Sequence, residues 1–184
     1  MILIVMEQIK YNGAIIKVTE EMIDGHKWER VYLKNGVLVL PFDSSGNLYL
    51  IHELRPHETP KSRWKLVTGC IDKDLPLEEI AQIELQEELG MKAGTLKKYM
   101  ETKEMATVRH TRTYFIATGL SPSKKPNEDT TTVLGTKTLP FRSVYEMALK
   151  GELGMGPTAY VIIRLYHDLK NGNIELPGMD MYSL

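Results

Sequence analysis

Apolar residues come in short runs over the first third of the chain, and turn signals separate the runs. ILIVM at 2–6 is followed by AIIKVT after Asn12-Gly13, and KWERVYL follows Asp24-Gly25. Asn-Gly and Asp-Gly are strong hairpin signals, because these residues tolerate the positive φ that tight hairpin turns require. Lys34-Asn35-Gly36 leads into VLVLPF, and Asp43-Ser44-Ser45-Gly46-Asn47 leads into LYLIHEL. Runs this short, bounded by turns, predict strands. KKYMETKE and TRTYFIAT predict two more, and SPSKKPNEDTTT reads as a polar loop. Three helices are predicted: Pro76 to Leu89, Phe141 to Leu149 after Pro140, and Ala159 to Leu169, stopped by Asn171-Gly172. The elements predict a mixed sheet with a few helices, an α+β or α/β sandwich. Residues 1–35 read as a small N-terminal β unit and 36–184 as the main domain.

The first of these helices is unusual in its charge. Pro76 suits a first helical turn, Glu78 and Glu79 sit at the positive end of the helix dipole, and Gly90 is a natural stop. At roughly 100° per residue from Leu77, Glu78, Glu79, Gln82 and Gln86 share the solvent arc of roughly 100–200°. Glu84, Glu87 and Glu88 fall on the other side, with Leu77 and Ile80. No Lys or Arg lies between Lys73 and Lys92, so nothing close in the sequence relieves their repulsion. Glutamates on helices are usually solvated. Half-buried and clustered, they are costly without a positive partner. Hard oxygen donors in this number suit Mg²⁺ or Mn²⁺.

Composition narrows the rest. The 184 residues suit one domain with a small appended unit, and 42% hydrophobic with 26% charged residues is ordinary for a chain with a packed core. A net charge of −1 provides no global field for nucleic acid or a membrane surface. The lone Cys70 excludes an intrachain disulfide and fits a cytoplasmic location. MILIVMEQ is too short to span a bilayer and lacks a basic start; Met6 is an alternative start to Met1.

The stretch from Gly69 to Met91 resembles the Nudix signature, G-x5-E-x7-R-E-U-x-E-E-x-G-U with U aliphatic. Gly69, Glu84, Leu85, Glu87, Glu88, Gly90 and Met91 fall in register. Leu75 stands where the pattern has its first Glu, and Ile83 where it has Arg. In the family those two side chains pair and brace the loop–helix–loop. Two aliphatic residues can keep such a brace by packing, whereas one replacement alone would strand a charge. Outside the helix, WERVYLKNGVLVLPFDSSGNLYLIHELRP is similar to ADP-ribose and nucleotide-sugar pyrophosphatases of the superfamily. Glu53-Leu54-Arg55-Pro56 stands in place of a Q-x-R-P-like segment, and Trp64-Lys65-Leu66-Val67-Thr68-Gly69 in place of E-L-P-A-G.

The resemblance implies an α+β fold, an α/β/α sandwich, and metal-dependent hydrolysis of the diphosphate joining a nucleoside to another moiety, most simply ADP-ribose or a nucleotide sugar. It implies Mg²⁺ (or Mn²⁺) on Glu84, Glu87, Glu88 and the Thr68 carbonyl. Glu84 and Glu87, or Glu128 and Asp129 in the polar loop, are the catalytic carboxylate candidates; a solvated turn is the plain alternative for the last two. Arg55 and Arg112 are the expected substrate contacts, against the alternative of strand-end arginines. Arg109 is a further candidate, His110 reads as a surface histidine, and Tyr11, Trp28 and Trp64 as core or interface packing. The implied partners are a small-molecule nucleotide and a second copy of the chain, docked through the N-terminal β unit. The Leu75 and Ile83 departures leave open a Nudix-fold binding module without useful catalysis. A hydrolase of nucleoside triphosphates or dinucleoside polyphosphates is a third reading.

Overall fold

The computed structural model describes residues 6–126, 132–154 and 156–179. Its elements run β1 (Gln8–Asn12), β2 (Ile16–Ile23), β3 (His26–Leu33), β4 (Gly36–Pro41), β5 (Asn47–Leu54), β6 (Ser62–Lys65) and β7 (Val67–Cys70). Helix α1 (Leu77–Glu84) follows and passes directly into a π-helical turn, Leu85–Leu89. Then come β8 (Met91–Lys92), β9 (Thr95–Met105), β10 (Val108–Thr118), β11 (Ser121–Pro122), β12 (Thr132–Pro140), α2 (Phe141–Leu149) and α3 (Gly156–Lys170).

The hairpin signals do what their chemistry requires. Asp24 and Gly25, with φ of 51° and 81°, turn β2 into β3, the left-handed pair that matches strand twist. Asp43 Oδ1 accepts from the amides of Ser45 and Asn47 at 2.8 and 2.9 Å, which closes the β4–β5 turn. Of the ILIVM strand, residues 2–5 lie outside the described residues, and the first strand observed begins at Gln8.

A seven-stranded mixed sheet has the order β1-β2-β3-β10-β4-β7, with β9 on the other edge of β10. β3 and β4 lie end to end along one edge of β10, both parallel to it. Asn35, between them, accepts the Thr111 amide at 2.9 Å and carries the ladder across the break. The N-terminal strands thus extend the main sheet through β3. A second, antiparallel sheet has the order β12-β5-β6, and β8 pairs with β11.

Strand alternation divides the interior in two. Leu38 and Leu40 of β4, with Tyr114 and Ile116 of β10, pack with α2 and α3. Val37 and Val39, with Phe115 and Ala117, pack with Ile80, Ala81 and Leu85 of the α1 segment. β4 is buried along its whole length, as expected of a strand covered on both faces. Helices therefore cover both sides of the sheet, the expected α/β/α layering. β6, β7 and β12 are absent from the sequence reading, and β12 starts at the last residue of the polar loop.

Candidate active site

The glutamate helix is anchored by its apolar stripe. Ile80, Ala81 and Leu85 fill the second core, and Leu75, at the box position of the missing Glu, packs against the same cluster; Ile83 is half-buried. The helix ends at Gly90, whose φ of 76° is the left-handed conformation of a helix stop. The stripe turns Glu84, Glu87 and Glu88 inward, at 9%, 6% and 5% exposure, while Glu78 and Glu79 face solvent. The last turn widens to π geometry between Leu85 and Leu89, so Glu87 and Glu88 swing away from where a regular helix would put them. Such turns recur at functional sites.

Gly69 lies under Glu84. A Cβ at residue 69 would sit 2.1 Å from Glu84 Oε1 and 2.2 Å from its carboxyl carbon. Only glycine lets this carboxylate rest on the β7 backbone.

No cation lies near the carboxylates along the sequence, but the fold brings one to Glu88. Lys65, 1% exposed, donates from Nζ to Glu88 Oε1 at 2.7 Å and to Thr68 Oγ1 at 2.8 Å. The Thr68 amide donates to Glu88 Oε2 at 3.0 Å, so both oxygens of Glu88 are engaged. Behind Lys65 stands Glu53, fully buried, with Oε1 3.1 Å from Nζ. Glu53 Oε2 accepts from Arg55 Nε at 2.8 Å and Arg63 Nε at 3.2 Å, and Arg63 reaches Glu58 at 2.9 Å. An ion chain thus runs from Arg55 and Arg63 through Glu53 and Lys65 to the glutamate helix. The pair that shares Lys65 is shifted in opposite directions. Burial drives the Glu88 carboxyl above the usual range, and Lys65 offsets only part of this. Burial also raises Glu53, but Lys65 first and then Arg55 outweigh it and hold Glu53 below the usual range. The sequence offered no signal for Lys65: it ends β6, a strand of four residues, and meets Glu88 only through the fold.

The other sequence candidates divide. Arg55 joins this centre through Glu53. Arg112 does not: it shares the sheet face of Tyr114, opposite the face that α1 covers, and pairs with Glu104. Arg109 donates to the Ala106 carbonyl at 3.1 Å. His110 is half-buried rather than on the surface. Neither ring nitrogen has a hydrogen-bond partner among the described residues, and burial, helped by Arg112, lowers its pKa. Trp64 packs at the first core and stacks on His52 at 4.6 Å, whereas Tyr11 and Trp28 are exposed. Glu128 and Asp129 lie outside the described residues. Their described flanks are held near the centre: the Lys125 amide donates to the Gln86 carbonyl at 3.2 Å, and Thr132 pairs with Leu54.

Among the described residues, no three His, Cys, Asp or Glu side chains gather closely enough to hold a metal together. Hard cations such as Mg²⁺ often use one or two carboxylates and take their remaining oxygens from water and substrate phosphate. Glu84, Glu87 and Glu88 are the carboxylates buried at this helix end, and both oxygens of Glu88 are engaged, by Lys65 and by the Thr68 amide.

No family model matches the chain, and no curated protein matches it. Among solved structures, an ADP compounds hydrolase is similar over 93% of this chain and 95% of its own, with a TM-score of 0.77 at 16% sequence identity. At that identity the likeness is one of fold: the chain has a Nudix-like α+β fold, a mixed sheet with three helices.

Proposed function

We propose that the chain hydrolyses the diphosphate of a nucleoside diphosphate linked to another moiety, ADP-ribose or a nucleotide sugar, with Mg²⁺ or Mn²⁺. The observation that carries this reading is the burial of Glu84, Glu87 and Glu88 on one helix end, beside an arginine-bearing ion chain. The fold shared with an ADP compounds hydrolase agrees with it. Glu84 and Glu87 hold the metal, which when bound polarises phosphoryl oxygens and lowers the pKa of water. Arg55, a third exposed, takes the diphosphate through paired hydrogen bonds. Gly69 keeps the Glu84 carboxylate against the β7 backbone. The products are a nucleoside monophosphate and a sugar phosphate.

The test is product release from ADP-ribose, GDP-mannose and UDP-glucose with Mg²⁺, Mn²⁺ or chelator. Metal-dependent cleavage should fall about 10²-fold or more in Glu84→Gln and in Glu87→Gln. Ligand binding by calorimetry without cleavage of any substrate would favour the second reading, a binding module. The engagement of Glu88 by Lys65 favours that alternative.

The same reading includes a homodimer built on β1–β3, where Ile9, Tyr11 and Trp28 are exposed. Trp28→Glu should halve the mass by light scattering; an unchanged mass ends this part of the proposal.

A further inference from the structure

Three oxygen atoms surround the Lys65 ammonium: Glu88 Oε1 at 2.7 Å, Thr68 Oγ1 at 2.8 Å and Glu53 Oε1 at 3.1 Å. The site is almost sealed, with Glu53 at 0% and Lys65 at 1% exposure. Two carboxylates and a hydroxyl around one positive centre form the donor set that a hard divalent cation takes. Here the centre is covalently part of the chain. Glu53 Oε1 is moreover buried without a hydrogen bond. Its contact with Lys65, at 3.1 Å, is an ion pair.

We propose that Lys65 is a resident cation that occupies the place of a divalent metal at Glu88. The inference rests on the metal-dependent reading above and sharpens it: exchangeable metal enters at Glu84 and Glu87, and Lys65 keeps it from Glu88. The charges support this assignment. Glu53, Glu58 and Glu88 are matched within the ion chain by Arg55, Arg63 and Lys65. Loss of Lys65 leaves these groups one positive charge short, with the Glu53 and Glu88 carboxylates facing one another across a cage that a divalent ion would fill. An isolated buried charge is strongly unfavourable, so the vacated cage should recruit such an ion. Unlike a bound metal, the ammonium cannot be removed by chelator, so Glu88 stays held in place whether or not metal is present.

The test is Mn²⁺ titration of the full chain by calorimetry, without nucleotide, with thermal melts alongside. The proteins are the wild type, Glu88→Gln, Lys65→Met, and the double variant Glu53→Gln/Lys65→Met, which has one buried carboxylate fewer to compensate. Glu88→Gln should bind Mn²⁺ as the wild type does, within about twofold, because Glu88 is not a metal ligand while Lys65 is present. At least one Lys65→Met protein should bind one further Mn²⁺ per chain. Its melting temperature should rise with Mn²⁺ by more than that of the wild type, and adding Glu88→Gln should abolish the gain. Tenfold or greater loss of Mn²⁺ binding in Glu88→Gln alone would overturn the inference. So would Lys65→Met proteins that fold and gain no Mn²⁺. In both cases the wild type still binds Mn²⁺ and the hydrolase reading stands. Absence of Mn²⁺ binding by every protein, the wild type included, overturns both.

Discussion

A methyl group at residue 69 has no room, because the Glu84 carboxylate occupies its place. Gly69→Ala should therefore push Glu84 aside while sparing the fold, since the obstructing atoms end a flexible side chain. The expected outcome is a nearly unchanged melting temperature with about 10²-fold loss of hydrolysis, the effect of misplacing a reacting group by about an ångström. The inward side of Glu84, Glu87 and Glu88 is legible in the sequence, because a helix repeats its spacing; Gly69 enters there only through the resemblance. Lys65 is not read there as part of the centre. It stands far from Glu88 in the chain and meets it only when β6 is laid beside the helix, so counting charges along a window misses it. Glu53 is hidden for the same reason: its partners come from β6 and the β5–β6 connection.

At the scale of elements, the end of the glutamate helix depends on residues supplied from after β10. Its last turn carries no basic residue of its own. Lys124 compensates, donating from Nζ to the Glu87 carbonyl at 2.5 Å, while Gln86 Nε2 donates to Ser123 Oγ at 2.7 Å. A cation at this end satisfies an orphan carbonyl and opposes the helix dipole. Lys124→Met should cost about 1 kcal/mol, seen as a melting temperature lower by about 3 °C. The helix ends, Pro76 and Gly90, are local signals and therefore legible. The π turn is not: the spacing of roughly 100° per residue used for Glu84, Glu87 and Glu88 assumes a regular helix to its end. β6 and β7 escape for another reason: at four residues each, they are too short for periodicity to register. β12, rich in threonine and interrupted by Gly135, lacks the apolar run that marked β4 and β5.

Across the whole molecule, α3 is fastened to β9 by a polar cluster. Asp168 accepts from Tyr99 Oη at 2.5 Å, Arg164 Nε at 2.9 Å and Asn173 Nδ2 at 3.1 Å. The Tyr99 hydroxyl, chief among these donors, holds the Asp168 carboxyl below the usual aspartate range. A folded-state pKa below the unfolded one stabilises above the unfolded value, about 3.9, and the gain is lost as pH falls through the folded value. Asp168→Asn should therefore lower stability by about 2 kcal/mol at pH 7, and the difference from the wild type should shrink below about pH 4. Denaturant melts of both proteins at several pH values check it. A mixed sheet with helices was legible from element types, and the resemblance narrowed it to the layered class. The strand order was not, because the pairing of β10 with both β3 and β4 joins distant segments that no local pattern links. That pairing also bears on synthesis. β4 is apolar on both faces, and one of its edges waits for β10, where Gly36 meets Arg112 and Pro41 meets Ala117. Until the ribosome has delivered residue 117, β4 has only the short β7 along its length, and long-range parallel pairing is slow to form. A nascent chain arrested before β10 leaves a bare, oily strand edge, the kind of surface that chaperones hold and that aggregates nucleate on.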